Sequence, residues 1–179
     1  MTGDRPGSDA NHLPLGYTLR QGSGLDRALL VKFMQRTYQE LAPGNSFEHL
    51  AQTVEQYFSS DTPVWWVYCQ SHKESETSVS VASEQVASIP QPIGCLWLGS
   101  AVDQVRGDRH AHIFLLYVAL NYRRQGLGAA LVDQAEAWAI RRGDRQVGLH
   151  VFQSNQPAIS FYSKMGYEPQ SLWMVKPLK

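Results

Sequence analysis

The chain predicts a mixed α/β fold: a mostly antiparallel sheet holding one parallel pair, with helices on its faces. The order of elements carries most of this. Apolar spacing along the 179 residues reads β-α-α-β-β-β-α-β-α-β, so strands first follow one another directly, as antiparallel neighbours do, and then alternate with helices. A strand-helix-strand crossover forces at least one parallel pair into the sheet. The supply of core points the same way. Hydrophobic residues make up 43% of the chain, and a chain of this size buries roughly 70% of the surface its unfolded form exposes, enough for a full core without disulfides or structural metals.

Residues 1–14 carry Gly, Pro, Asp and Asn without periodicity and read as an N-terminal tail; residues 15–179 read as a single domain. Tyr17 to Gln21 is a short strand. Leu25 to Leu41 is a helix, with Leu29, Leu30, Phe33, Met34 and Leu41 at helical spacing, stopped by Ala42-Pro-Gly-Asn45. Ser46 is placed to cap a second helix reaching about Phe58, whose apolar face is Phe47, Leu50, Val54, Tyr57 and Phe58. Pro63 to Gln70 is a strand on its β-branched and aromatic content.

Residues 71–91 are rich in Ser, Glu and Thr, which predicts a long, mobile hairpin connection. Pro92 to Ala101 and His110 to Ala119 are two further strands. Leu127 to Arg142 is a helix ending at Gly143, Gln146 to Phe152 a strand, Pro157 to Met165 a short helix, and Leu172 to Lys176 a last strand.

Charge and composition exclude several classes of function. Sixteen Lys and Arg balance sixteen Asp and Glu, which argues against electrostatic capture of nucleic acid or of an anionic membrane. No apolar run approaches the roughly 20 residues of a spanning helix, and the polar start resembles no signal peptide, so a cytoplasmic location is expected. Cys69 and Cys95 lie in separate apolar runs and read as small buried thiols.

The chemistry concentrates where a strand ends at Val118 and glycines at 126 and 128 open a helix. Helix-opening amides have no internal partner and sit at the positive end of the macrodipole, while glycines let an anion approach the backbone. Arg123 and Arg124 add positive charge. A dinucleotide fingerprint would need a glycine at Leu131 and an acidic residue about 20 residues on, where His150 and Gln153 stand instead. A P-loop would need Gly-Lys-Ser/Thr, which does not occur.

Arg123-x-x-Gly126-x-Gly128 resembles the acyl-CoA pyrophosphate motif of the GCN5-related N-acetyltransferase (GNAT) superfamily. Downstream, Asn155-x-x-Ala158-x-x-Phe161-Tyr162-x-x-x-Gly166-Tyr167 is similar to that family's later motif for the pantetheine arm and active site. The two cover about Phe114 to Tyr167 in the family's order and spacing. The resemblance implies acetyl-CoA as co-substrate and a central splay in the sheet at the parallel pair. Main-chain groups of Leu116 and Val118 would pair with the pantetheine there, and the same region would give an N–H to the thioester carbonyl. Backbone amides from Arg124 through Gln125, Gly126, Leu127 and Gly128 to Ala129 would bind the pyrophosphate, beside Arg123. Asn155 would hydrogen-bond the pantetheine, and Tyr162 matches the acid that protonates the departing thiolate.

The resemblance further implies an N-acetyltransferase acting on a primary amine, in a small molecule, peptide or protein, by direct attack in a ternary complex. The other reading is a catalytically idle acyl-CoA-binding or regulatory domain. Many relatives place a Glu base on the central strand or the next parallel one; here those positions are His112 and His150, whose neutral imidazoles can accept a proton. His150 is preferred because it shares with Asn155 and Tyr162 the stretch that best matches the family. Glu40 and Glu48 stand in reserve. His110-x-His112 as a metal pair lacks a third ligand. In relatives the helices around Leu25 to Phe58 and the middle strands wall the acceptor side, where Tyr38, Trp65, Trp66 and Trp97 stand; Trp65 and Trp66 must point to opposite sheet faces. A monomer or a homodimer is expected.

Overall fold

The computed structural model describes residues 13–70 and 90–178. The connection expected over 71–91 and the tail expected over 1–14 therefore lie almost wholly outside the described residues. The chain divides into two compact units, Met1–Leu149 and His150–Lys179.

In the first unit five strands form one sheet in the order β1-β2-β3-β4-β5. They are β1 (Tyr17–Gln21), β2 (Val64–Cys69), β3 (Gly94–Val102), β4 (Arg109–Val118) and β5 (Val147–Leu149). The first three pairings are antiparallel and β4–β5 is parallel, as the crossover through α3 (Leu127–Arg142) requires. The other helices here are α1 (Arg27–Leu41) and α2 (His49–Tyr57).

Alternation along the strands feeds a core on each face. On one face Leu30, Phe33 and Met34 of α1 and Leu50 and Val54 of α2 pack on Val64, Trp66, Trp97, Leu115 and Tyr117. On the other, Leu127, Leu131 and Ala135 of α3 pack on Trp65, Val67, Leu96, Leu98 and Ile113. Trp65 and Trp66 do take opposite faces, and both are buried, as is Trp97. The buried indoles of Trp66 and Trp97 donate to Asp26 Oδ2 and the Thr62 carbonyl, each at 3.2 Å, so these aromatics serve the core with their polar edges satisfied.

Several sequence expectations need correction. The first helix opens with a 3-10 turn at Gly24–Asp26, capped by Ser23. The second begins only at His49, with Glu48 at its N-cap and no side-chain cap, so Ser46 does not cap it. Cys95 is buried but Cys69 is exposed, because β2 outruns its cover and its burial falls away at Tyr68 and Cys69. The strand expected over Gln146 to Phe152 shortens to Val147–Leu149.

The second unit contains α4 (Gln156–Lys164). No strand forms over Leu172 to Lys176; Leu172, Trp173, Met174 and Val175 are 75–88% exposed. An apolar run suits a strand only where a neighbouring strand takes its N–H and C=O groups. Among the described residues no helix is long and apolar enough to cross a membrane.

Candidate active site

β4 and β5 pair only from Ala111–Val147 to Ile113–Leu149. β4 continues to Val118, so among the described residues its edge from Phe114 onward has no paired strand on the β5 side. The alternation of the antiparallel ladder says which groups face that edge. Gly94 lies opposite Val118, and the next N–H along, of Ala119, donates to the Ile93 carbonyl at 2.8 Å. Residues that bond across a ladder alternate with residues that face away. Leu116 and Val118 therefore turn their main-chain groups outward, to the open edge.

A bulge shapes the same strand. The register shifts between Trp97 and Leu98, which face Leu115 and Ile113 respectively. Phe114 is the extra residue, and it joins Leu115 on the α1/α2 side.

Beyond Val118 a 3-10 turn, Leu120–Tyr122, leads into the loop that opens α3. Two of its residues are left-handed, Arg124 at φ 65° and Gly126 at φ 85°, the local conformation from which anion-binding backbone concavities are built. Gly126 is the N-cap of α3 and supplies no side-chain hydrogen bond. The Ala130 N–H closes onto the Gly126 carbonyl, and the earlier amides, of Leu127, Gly128 and Ala129, stand at the positive end of a helix without a side-chain cap. Gln125 fixes the loop from outside, with Oε1 accepting from the Tyr17 hydroxyl and Nε2 donating to the Asn121 carbonyl.

Arg123 departs from expectation. Its Nε donates to the Val118 carbonyl at 2.7 Å and its Nη2 to Glu40 Oε2 at 2.6 Å, so its charge is balanced by a carboxylate instead of standing ready beside the loop. Arg124 is exposed. The other Glu40 oxygen accepts from the Tyr117 hydroxyl at 2.9 Å. Both Glu40 oxygens are thus engaged within the protein. Burial, with the Glu40 hydrogen bond and charge behind it, raises the Tyr117 pKa. Sequence reasoning named Glu40 only as a reserve base; it missed Tyr117 and the tie itself, since only folding brings Glu40 to residues 77 and 83 positions away.

His112 is 8% exposed, between Gly99 and Gly148 in the paired part of the sheet. Its ring lies 5.5 Å from Phe114 and 6.5 Å from His110. A Cβ on Gly148 would come within 3.0 Å of the His110 ring, so that glycine makes room for His110.

In the second unit, His150 is exposed and outside any strand. Asn155 is the N-cap of α4, its Oδ1 accepting from the Ala158 N–H at 3.3 Å. At the other end the Gly166 N–H reaches the Ser163 carbonyl and the Tyr167 N–H reaches that of Tyr162, with Gly166 at φ 91°. This is a Schellman stop, closed by the Tyr162–Tyr167 ring contact at 5.6 Å. Tyr162 is half-buried, and desolvation pushes its pKa up from 10.0 to about 12. Its hydroxyl stays protonated throughout the neutral range.

A family model for the acetyltransferase (GNAT) family matches residues 34–167. Among curated proteins, an uncharacterized N-acetyltransferase of Methanocaldococcus jannaschii, MJ1207, is 31% identical over 87 residues, 46% of this chain; the chain spans 37% of that protein's length. Among solved structures, a predicted acetyltransferase from Clostridium acetobutylicum, determined with acetyl-CoA, superposes with a TM-score of 0.64 at 15% identity, covering 90% of this chain and 96% of the other. The aminoglycoside acetyltransferase meta-AAC0020 from an uncultured soil metagenomic sample, in complex with sisomicin, gives 0.63 at 15% identity, covering 92% and 97%. These two likenesses carry the fold.

Proposed function

The chain belongs to the acetyltransferase (GNAT) family, and on that premise we propose that it moves an acetyl group from acetyl-CoA to a primary amine by direct attack in a ternary complex. In this reading residues 15–179 work as one domain. The observation that carries it is the uncapped opening of α3 at Gly126, reached through left-handed Arg124 and lying beyond the open end of β4. The amides from Arg124 through Ala129 take the pyrophosphate. Leu116 and Val118 take the pantetheine as an added strand.

The amine gives up a proton to His150 or His112 and attacks the thioester carbonyl. Negative charge then gathers on the carbonyl oxygen, where an outward N–H of β4 stabilises it. The carbon–sulfur bond breaks and the thiolate leaves toward Tyr162. With its pKa pushed up to about 12, Tyr162 lies well above a free thiol near 8.5. Complete proton transfer is therefore uphill, and Tyr162 acts by donating a hydrogen bond to the thiolate as it forms. Asn155 keeps its amide N–H donors for the pantetheine while its oxygen caps α4.

Release of free thiol from acetyl-CoA against a panel of aminoglycosides, polyamines, amino acids and peptides tests the reading. Turnover on some amine is expected. CoA binding without turnover on any acceptor would overturn it in favour of an idle acyl-CoA-binding domain.

A further inference from the structure

The Arg123–Glu40 pair is placed against simple electrostatics. A loop that binds a pyrophosphate gains from positive charge, yet the carboxylate of Glu40 holds the Arg123 guanidinium at 2.6 Å. A negative charge there weakens anion binding through Coulomb repulsion. What the pair supplies is geometry. One guanidinium joins the end of α1, through Glu40, to the end of β4, through the Val118 carbonyl. It also lies over the Tyr117 ring at 5.6 Å, and Tyr117 donates to the second Glu40 oxygen. Arg123 thus enters the loop with its side chain tied at two points, one residue before the left-handed turn at Arg124. The tie also occupies the outward carbonyl of Val118, leaving the Val118 N–H and both main-chain groups of Leu116 facing the open edge.

We propose that Glu40 is a positioning residue for acyl-CoA: by holding Arg123 it sets the Arg123–Ala129 loop on the end of β4 and decides which main-chain groups of β4 meet the pantetheine arm. The proposal rests on the acyl-CoA reading above. It differs from a charge-based role for Arg123 in the sign of one effect. If Arg123 binds phosphate by charge, neutralising Glu40 frees it and tightens CoA. If Glu40 positions the loop, removing it loosens CoA despite the favourable change in charge.

The test is calorimetric titration of CoA, with kcat and KM for acetyl-CoA, on the full chain and on Glu40→Ala and Glu40→Gln. Glu40→Ala is expected to raise Kd and KM about tenfold with kcat changed less than about twofold. Glu40→Gln keeps an oxygen for Arg123 and should recover most of the loss. CoA binding as tight as wild type or tighter in both variants would overturn the proposal. So would a fall in kcat at constant KM, which would put Glu40 in the chemical step. Should Glu40→Ala fail to fold, Arg123→Lys keeps the charge but not the two-point fork, and an unchanged KM there would equally overturn it. Wild-type protein that binds no CoA would overturn both this proposal and the acyl-CoA reading, whereas wild-type binding with unmoved variants would overturn this proposal alone.

Discussion

A Cβ built on Gly99 would stand 2.1 Å from Cε2 of Phe114. The bulge in β4 puts the Phe114 ring over β3 at this position, and only a residue without a side chain leaves it space. Gly99→Ala should destabilise the protein by about 1–3 kcal/mol, because the half-buried ring must shift from its seat against Trp97 to make room. Urea unfolding measures it, and combining the change with Phe114→Leu should return part of the loss. Unchanged stability in Gly99→Ala would mean that the bulge does not seat Phe114 as described.

Gly126→Ala introduces a side chain at φ 85°, where left-handed backbone costs an L-residue roughly 1–2 kcal/mol. The melting temperature should fall by several degrees. A control change to Ala at Gly24, which has open space around its Cβ position and a φ outside the left-handed region, should fall by less.

Tyr162→Phe, which removes a hydrogen-bond donor to the developing thiolate, should lower kcat by about 10²-fold or more while leaving the KM for acetyl-CoA nearly unchanged. The raised pKa adds a signature in stability. A hydroxyl whose pKa goes from 10.0 to about 12 on folding favours the folded state while it is protonated. Its contribution is full below pH 10 and is lost as pH rises toward about 12. Denaturation curves through that window should show wild type losing stability more steeply than Tyr162→Phe, and parallel losses would refute the shift.

The pH dependence of kcat/KM separates a histidine base from selection of the free amine. A histidine gives an inflection that stays put across acceptors of different amine pKa, whereas amine selection moves it. His150→Gln should remove the inflection along with much of the rate, and His112→Gln should do so if the buried ring is the base instead. If both variants keep the wild-type profile, neither histidine is the base and ordered water takes its place.

What the sequence made legible was mostly local. Both ends of α3 were readable because each is set by one left-handed glycine, Gly126 and Gly143. The opposite faces of Trp65 and Trp66 follow from strand geometry alone. Asn155, Gly166 and Tyr167 were legible as a motif, and the fold gives each a definite task at an end of α4. The Arg123–Glu40 tie was not legible, since it spans 83 positions and nothing in either residue's neighbourhood announces it. The strand expected at Leu172 to Lys176 failed for a related reason: apolar β-formers describe a side-chain preference, while a strand needs a paired backbone.

The central claim is that an acyl-CoA binds through backbone amides at the opening of α3. Calorimetric titration of CoA into wild type and into Gly128→Glu, with circular dichroism on both, tests it most directly. Binding by wild type and none by Gly128→Glu is expected, with unchanged dichroism, because the change sets a carboxylate among the amides proposed to take the pyrophosphate. Equal binding by the two proteins would contradict the account.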